Sequence, residues 1–205
     1  MDATLANRSD RRPDTRGDIV RTARRLLLSH SYLGLNFQEL ADTIGIRKAS
    51  LYHHFPSKLA VGQAVVDDSA KRFQRWADTI AHLNPSQQLQ AYVQMLRDAL
   101  AAGGMVCPIG AMAGEWGGLE PELQDTVRRF HLQQLAWLEA RAAQLPALHT
   151  TAARTANGVT PREWATHFNA SCQGALLNAR MHGDISLYDQ SVAPLLSTLA
   201  ATPLA

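Results

Sequence analysis

Residues Asn36–Lys58 read NFQELADTIGIRKASLYHHFPSK, and this run divides into two short helices and a tight turn. Asn36 stands before an apolar-periodic segment with Glu39 three positions on, the pattern of a capping box. Phe37, Leu40, Ala41 and Ile44 recur at i, i+3, i+4 and i+7, which makes one buried stripe. Gly45 follows at once, where a left-handed residue ends a helix. A second helix fits Arg47–His54, with Ala49, Leu51, Tyr52 and Phe55 available to pack inward. Pro56 closes it, and Ser57 can cap a third helix from Lys58. Two short helices about a glycine turn describe a helix-turn-helix. The outward face of the second helix carries Arg47, Lys48, Ser50, Tyr52, His53 and His54, offering phosphate partners and base-edge donors with little apolar surface to bury. A solvated polar face on a structural or protein-docking corner is the alternative.

The run FQELADTIGIRKASLYHHFPSKLAV, together with a first helix over Thr15–Ser31, resembles the TetR/AcrR family of bacterial transcriptional regulators. The resemblance is specific over about Thr15–Val66; beyond that it rests on length and helical pattern. It implies an all-α, TetR-like chain of about nine helices, with a DNA-binding head at 15–60 and a ligand-binding and dimerisation body at 61–205. Arg47 and Lys48 make the face more basic than in many relatives, which leaves the operator sequence open.

Composition agrees with that picture. At 205 residues and 46% hydrophobic content the chain can bury a substantial core. Few aromatics and many Ala and Leu favour helices. Residues 1–60 hold ten Lys/Arg against six Asp/Glu, a balance of +4, whereas the remainder hold ten against twelve, −2. A basic front on a mildly acidic body suits a small DNA reader. The two cysteines, Cys107 and Cys172, make neither a disulfide framework nor a zinc site. With no signal-peptide pattern and no membrane-length apolar run, the expected location is cytoplasmic.

Before the head, residues 1–14 read as a flexible arm whose Arg8, Arg11 and Arg12 could track phosphates, or simply solubilise the chain. Thr15 is placed to cap the first helix, whose stripe is Ile19, Val20, Ala23, Leu26 and Leu27; Arg16, Arg21, Arg24 and Arg25 lie mostly off it. After the head, helices fit Lys58–Leu83, Ser86–Ala102, Ile109–Trp116, Pro121–Leu145, Pro161–His182 (opened by a Thr160/Glu163 capping box) and Leu187–Ala201, with a mobile Pro146–Val159 segment between.

The resemblance implies dimerisation through the last two long helices, and Ser171, Gly174, Ala175 and Ala179 would allow close helix approach there. Two heads then match half-sites roughly 34–36 Å apart, or a multiple of that, on double-stranded palindromic DNA. Arg47, Lys48, Ser50, Tyr52 and His53 would enter the major groove, with Gln38, His54 and Lys58 on phosphates or groove edges. For a small-molecule effector the body offers Cys107, Met112, Glu115, Trp116, Phe130, Trp137, Trp164, His167 and Phe168, a set that favours an apolar or aromatic ligand. Cys107, before a proline at a helix entry, resembles a cysteine with which some family members sense electrophiles or oxidants.

The reading is therefore a homodimeric, ligand-responsive repressor needing no cofactor, with an activator or a thiol sensor as alternatives. A helical enzyme is disfavoured: no paired metal-ligand spacing, glycine-rich phosphate loop or nucleophile elbow appears.

Overall fold

The computed structural model describes residues 14–102, 107–145 and 158–200. Nine α-helices and one 3₁₀ turn make up the regular structure of these residues. The proposed arm apart from Asp14, most of the Pro146–Val159 segment and the end of the chain lie outside them.

The head is α1 (Thr15–Ser29), α2 (Phe37–Ile44) and α3 (Lys48–His54). Asp14, rather than Thr15, caps α1, its carboxylate accepting from the Gly17 N–H at 3.0 Å. Asn36 caps α2 through the Gln38 N–H at 2.7 Å, so the reciprocal box with Glu39 does not form. Gly45 turns the chain at φ 78°, a conformation that costs other residues a Cβ clash. Ile19, Leu27, Leu40, Ala41, Leu51 and Phe55 close a small core, while Ala49, expected inside, is exposed. Arg16 lies 4.4 Å above the Phe55 ring, tying α1 to the end of α3.

Ser57 caps α4 (Lys58–Thr79), which runs from the head along the body. It ends at Thr79, four residues short of the expected Leu83. Then come α5 (Pro85–Ala101), α6 (Pro108–Ala113), the 3₁₀ turn Trp116–Gly118, α7 (Pro121–Ala142), α8 (Pro161–His182) and α9 (Ser186–Ala200). Asn84/Gln87 and Thr160/Glu163 form complete capping boxes with proline at the first turn, so α5 and α8 start where their sequences place them.

The body core is aromatic. Phe73 and Trp76 of α4, Tyr92 of α5 and Trp137 of α7 meet with ring centroids 5.5–6.4 Å apart. The buried phenol of Tyr92 donates to Asn169 Oδ1 at 2.9 Å, and that of Tyr188 donates to the Val93 carbonyl at 2.8 Å. These two bonds tie α5 to α8 and α9 and leave neither hydroxyl unsatisfied.

Candidate nucleic-acid interface, body cavity and the contacts between them

The polar face of α3 stands clear of the core. Arg47, Lys48, Tyr52 and His53 are exposed, and Ser50 and His54 half-exposed. Tyr52 is 48% exposed, and its ring packs on Phe37 at 5.1 Å, so its hydroxyl projects on a braced stem. Arg47 is the N-cap residue, not the first helical one, and makes no side-chain cap bond. The fold thus brings five candidate groove residues to one convex edge.

The two outlying candidates are partly engaged within the chain. Gln38 donates to Asp42 at 2.8 Å. Lys58 Nζ donates to the Leu33 carbonyl at 2.7 Å and sits 4.9 Å from the Tyr32 ring centroid. The Lys58 amine therefore braces the α1–α2 loop, a role its sequence position does not announce.

In the body, a cavity of about 260 Å³ opens between α1, α4, α5, α6, α7 and α8. Its wall is mostly apolar: Phe73, Trp76, Met95, Leu96, Ala99, Phe130, Leu176 and Pro108, with Cys107, Ser69, Gln134, Arg24 and Arg72. Of the nine effector candidates, only Cys107 and Phe130 line it.

The others are placed elsewhere for identifiable reasons. Met112 and Phe168 are fully buried core. Trp137 belongs to the aromatic cluster behind the wall, with Arg141 4.3 Å above its ring. Trp164 stacks on Phe168 at 4.7 Å, and His167 faces solvent. Trp116 lies beneath Arg128 at 5.4 Å. Glu115 lines a separate groove of about 730 Å³ along α6, α7 and α8, and its carboxylate is already occupied.

Most of the lining was not among the sequence candidates, and its two charged members are Arg24 and Arg72. A signal was present: Arg24 is four residues after Val20 and three before Leu27, on the inward register of α1. A charge there has to face something.

Cys107 is 8% exposed, with its sulfur against the side-chain amides of Gln134 and Gln173. Burial pushes its thiol up, and this outweighs the opposite pull of the Ile109 and Gly110 backbone N–H groups. Burial therefore works against the thiol activation that a helix entry would supply, and α6 spans only six residues.

The head is clasped to the body at its α1–α2 loop. The Tyr32 phenol donates to Glu120 Oε2 at 2.8 Å, and the Leu33 backbone N–H donates to Glu115 Oε2 at 2.8 Å. Arg180 of α8 donates to the Ser29 carbonyl at 3.2 Å. Gly62 of α4 makes room for this: a Cβ there would come 2.7 Å from Tyr32 Cε2 and 3.2 Å from Leu123 Cδ2. Both carboxylates flank the 3₁₀ turn directly after α6, whose first turn forms part of the cavity wall.

Comparison with known proteins agrees with this geometry. Residues 19–65 match the model for bacterial regulatory proteins of the tetR family, and residues 86–195 match that for the tetracyclin repressor-like C-terminal domain. The HTH-type transcriptional repressor DhaR of Mycobacterium sp. (strain GP1) is 24% identical over 192 residues, 92% of this chain and 93% of DhaR. A TetR-family regulator structure from Agrobacterium tumefaciens superposes with a TM-score of 0.76 at 26% identity, covering 89% of this chain and 96% of its own. The structure of AibR in complex with isovaleryl coenzyme A and operator DNA shares the fold, with a TM-score of 0.66 at 19% identity over 90% of this chain and 97% of AibR. Among the described residues no helix is long and apolar enough to cross a membrane. With its helix-turn-helix head and helical body both matched, the chain belongs to the TetR family of DNA-binding transcriptional regulators.

Proposed function

We propose that this protein is a homodimeric repressor that holds a palindromic operator through α3 and leaves it when a small apolar or aromatic molecule enters the body cavity. In each head Arg47, Lys48, Ser50, Tyr52 and His53 enter the major groove, with His54, Gln38 and Lys58 at the groove edge. The carrying observation is the clasp: Glu115 and Glu120 hold the head's loop from the end of the same segment whose start, Cys107–Pro108, walls the cavity. A ligand that shifts Pro108 and Phe73 acts on α6 and α4, of which α4 starts at the head and α6 leads into the turn whose Glu115 holds it. By linkage, a differential affinity of about 2–3 kcal/mol between the two body states is enough to empty an operator. DhaR is by name a repressor, and AibR holds isovaleryl coenzyme A and operator DNA together on this fold, which supports a body that takes a small molecule beside a DNA-binding head.

Dimerisation is read from α8. Ala170, Gly174, Leu177 and Met181 recur at i, i+4, i+7 and i+11 and are all exposed, Met181 at 77%. Gly174 has open space where a Cβ would point, so a partner helix can come close. Of the small residues first considered, Ala175 and Ala179 are buried inside the protomer instead. A TetR-type pair across α8 and α9 sets two heads on two half-sites.

Footprinting on DNA flanking the gene is the test. A protected palindrome is expected, lost with Lys48→Ala/Tyr52→Ala and released by the effector. A monomer that ignores duplex DNA at low salt overturns the reading; retained binding by the double variant removes these contacts from it.

A further inference from the structure

The cavity holds a charge that an uncharged effector would leave unanswered. Arg24 reaches the wall from α1 and Arg72 from α4. Arg72 is ion-paired with Asp68. Arg24 has no ion-pair or hydrogen-bond partner within bonding distance among the described residues, and its Nε is covered from solvent with nothing to accept its proton. Asp68 attracts it only from farther off.

The surroundings make this costly. Burial, and then the like charge of Arg72, work against the Arg24 guanidinium and pull its pKa down. A guanidinium nonetheless stays protonated near neutral pH, so the positive charge remains. Phe73, Trp76, Leu96 and Phe130, which also line the cavity, offer it no acceptor. A fork of donors in the wall of a mostly apolar chamber, with no internal counter-charge in contact, matches a molecule carrying an acid group on an apolar body.

We propose that the cavity takes a small apolar carboxylate, its acid group on the Arg24 guanidinium and its hydrocarbon or ring against Phe73, Trp76 and Phe130. This rests on the cavity being the effector site and names the chemical class that fits it. Because Arg24 belongs to the first helix of the head, the bound acid would join head and body directly. Its carboxylate would therefore act on the angle between α1 and α4 without needing the long path through the core.

The test compares matched probes on the full chain by isothermal titration calorimetry: hexanoate against hexanamide, and phenylacetate against phenylacetamide. The acids should bind about tenfold to a hundredfold more tightly than the amides, the range expected for hydrogen bonds to a charged group. Arg24→Met should erase that gap while keeping the aliphatic stem, and Arg24→Lys should restore part of it. If Arg24→Met does not fold, the wild-type acid-to-amide ratio still decides. Amides binding as tightly as acids, or a gap undiminished in Arg24→Met, overturns the assignment. Amides that bind and release DNA where acids do not would leave the effector cavity standing and only the acid class refuted. If neither series binds at millimolar concentration, the effector cavity and the acid class fall together.

Discussion

The Tyr32 hydroxyl and the Glu120 carboxylate, 88 residues apart in sequence, meet at 2.8 Å across the boundary between head and body. Tyr32 is buried and Glu120 half-buried, so the bond is shielded on one side only. Tyr32→Phe should cost about 1 kcal/mol of stability in urea unfolding, the usual net worth of one such bond. Its larger effect should be on coupling: DNA affinity stays near wild type while the effector concentration needed for release changes, read by titrating the protein–DNA complex.

Three of the four tyrosines are buried and hydrogen-bonded, and all three have their phenol pKa raised, chiefly by burial. In the unfolded chain a tyrosine ionises near pH 10. A raised folded-state pKa means the unfolded state loses its proton first, so these tyrosines stabilise the fold fully below about pH 10 and progressively less above it. Stability followed by circular dichroism should therefore be insensitive to these groups through neutrality and should fall steeply in alkali, with phenolate absorbance appearing together with unfolding.

Cys107 and Cys172 both have thiols raised by burial, Cys172 pushed up to about 12. Native protein at pH 8 should take up iodoacetamide at neither site, and both should react once urea unfolds the chain. Fast modification of Cys107 in folded protein, with loss of DNA binding, would favour the thiol-sensor alternative instead.

Charge placed on the outward stripe of α8 should separate protomers. Leu177→Glu with Met181→Glu places two carboxylates where the dimer would bury them, at a cost of several kcal/mol per uncompensated ion, on the order of 3–5 kcal/mol each. Analytical ultracentrifugation should find folded monomers with wild-type helix content. A pair that still dimerises would move the interface elsewhere.

Gly45 and Gly62 should both resist replacement by alanine, for different reasons. At Gly45 an added Cβ meets nothing within 4 Å, so the expense is the left-handed backbone alone, about 1–2 kcal/mol. At Gly62 the Cβ collides with the Tyr32 ring and Leu123, so Gly62→Ala should displace the clasp as well as destabilise. Thermal shifts of similar size with altered effector response only in Gly62→Ala would separate the two.

The elements were legible wherever local chemistry sets them. Asn36 and Gly45 bracket α2, and the box at Thr160 marks the start of α8, because caps satisfy backbone groups within a few residues. The α3 face was equally readable, since a convex polar surface needs no partner to define it. The cavity was not. Trp164, Phe168 and Met112 have the side chains of a ligand site, yet whether an aromatic faces a void or a neighbour depends on residues from distant helices. Glu115 shows the same limit from the other side: a carboxylate that looks like a ligand hook in sequence is consumed by the Leu33 amide 82 residues away.

The clasped α1–α2 loop also limits how far the molecule is modular. Three of the four polar anchors described for it, Glu115, Glu120 and Arg180, are supplied from beyond the helix-turn-helix, and the fourth, Lys58, sits at the point where a cut would fall. Grafting this head onto another body of the family would leave the Leu33 N–H and the Tyr32 hydroxyl to find new acceptors, so operator specificity should transplant poorly unless the turn after α6 travels with it.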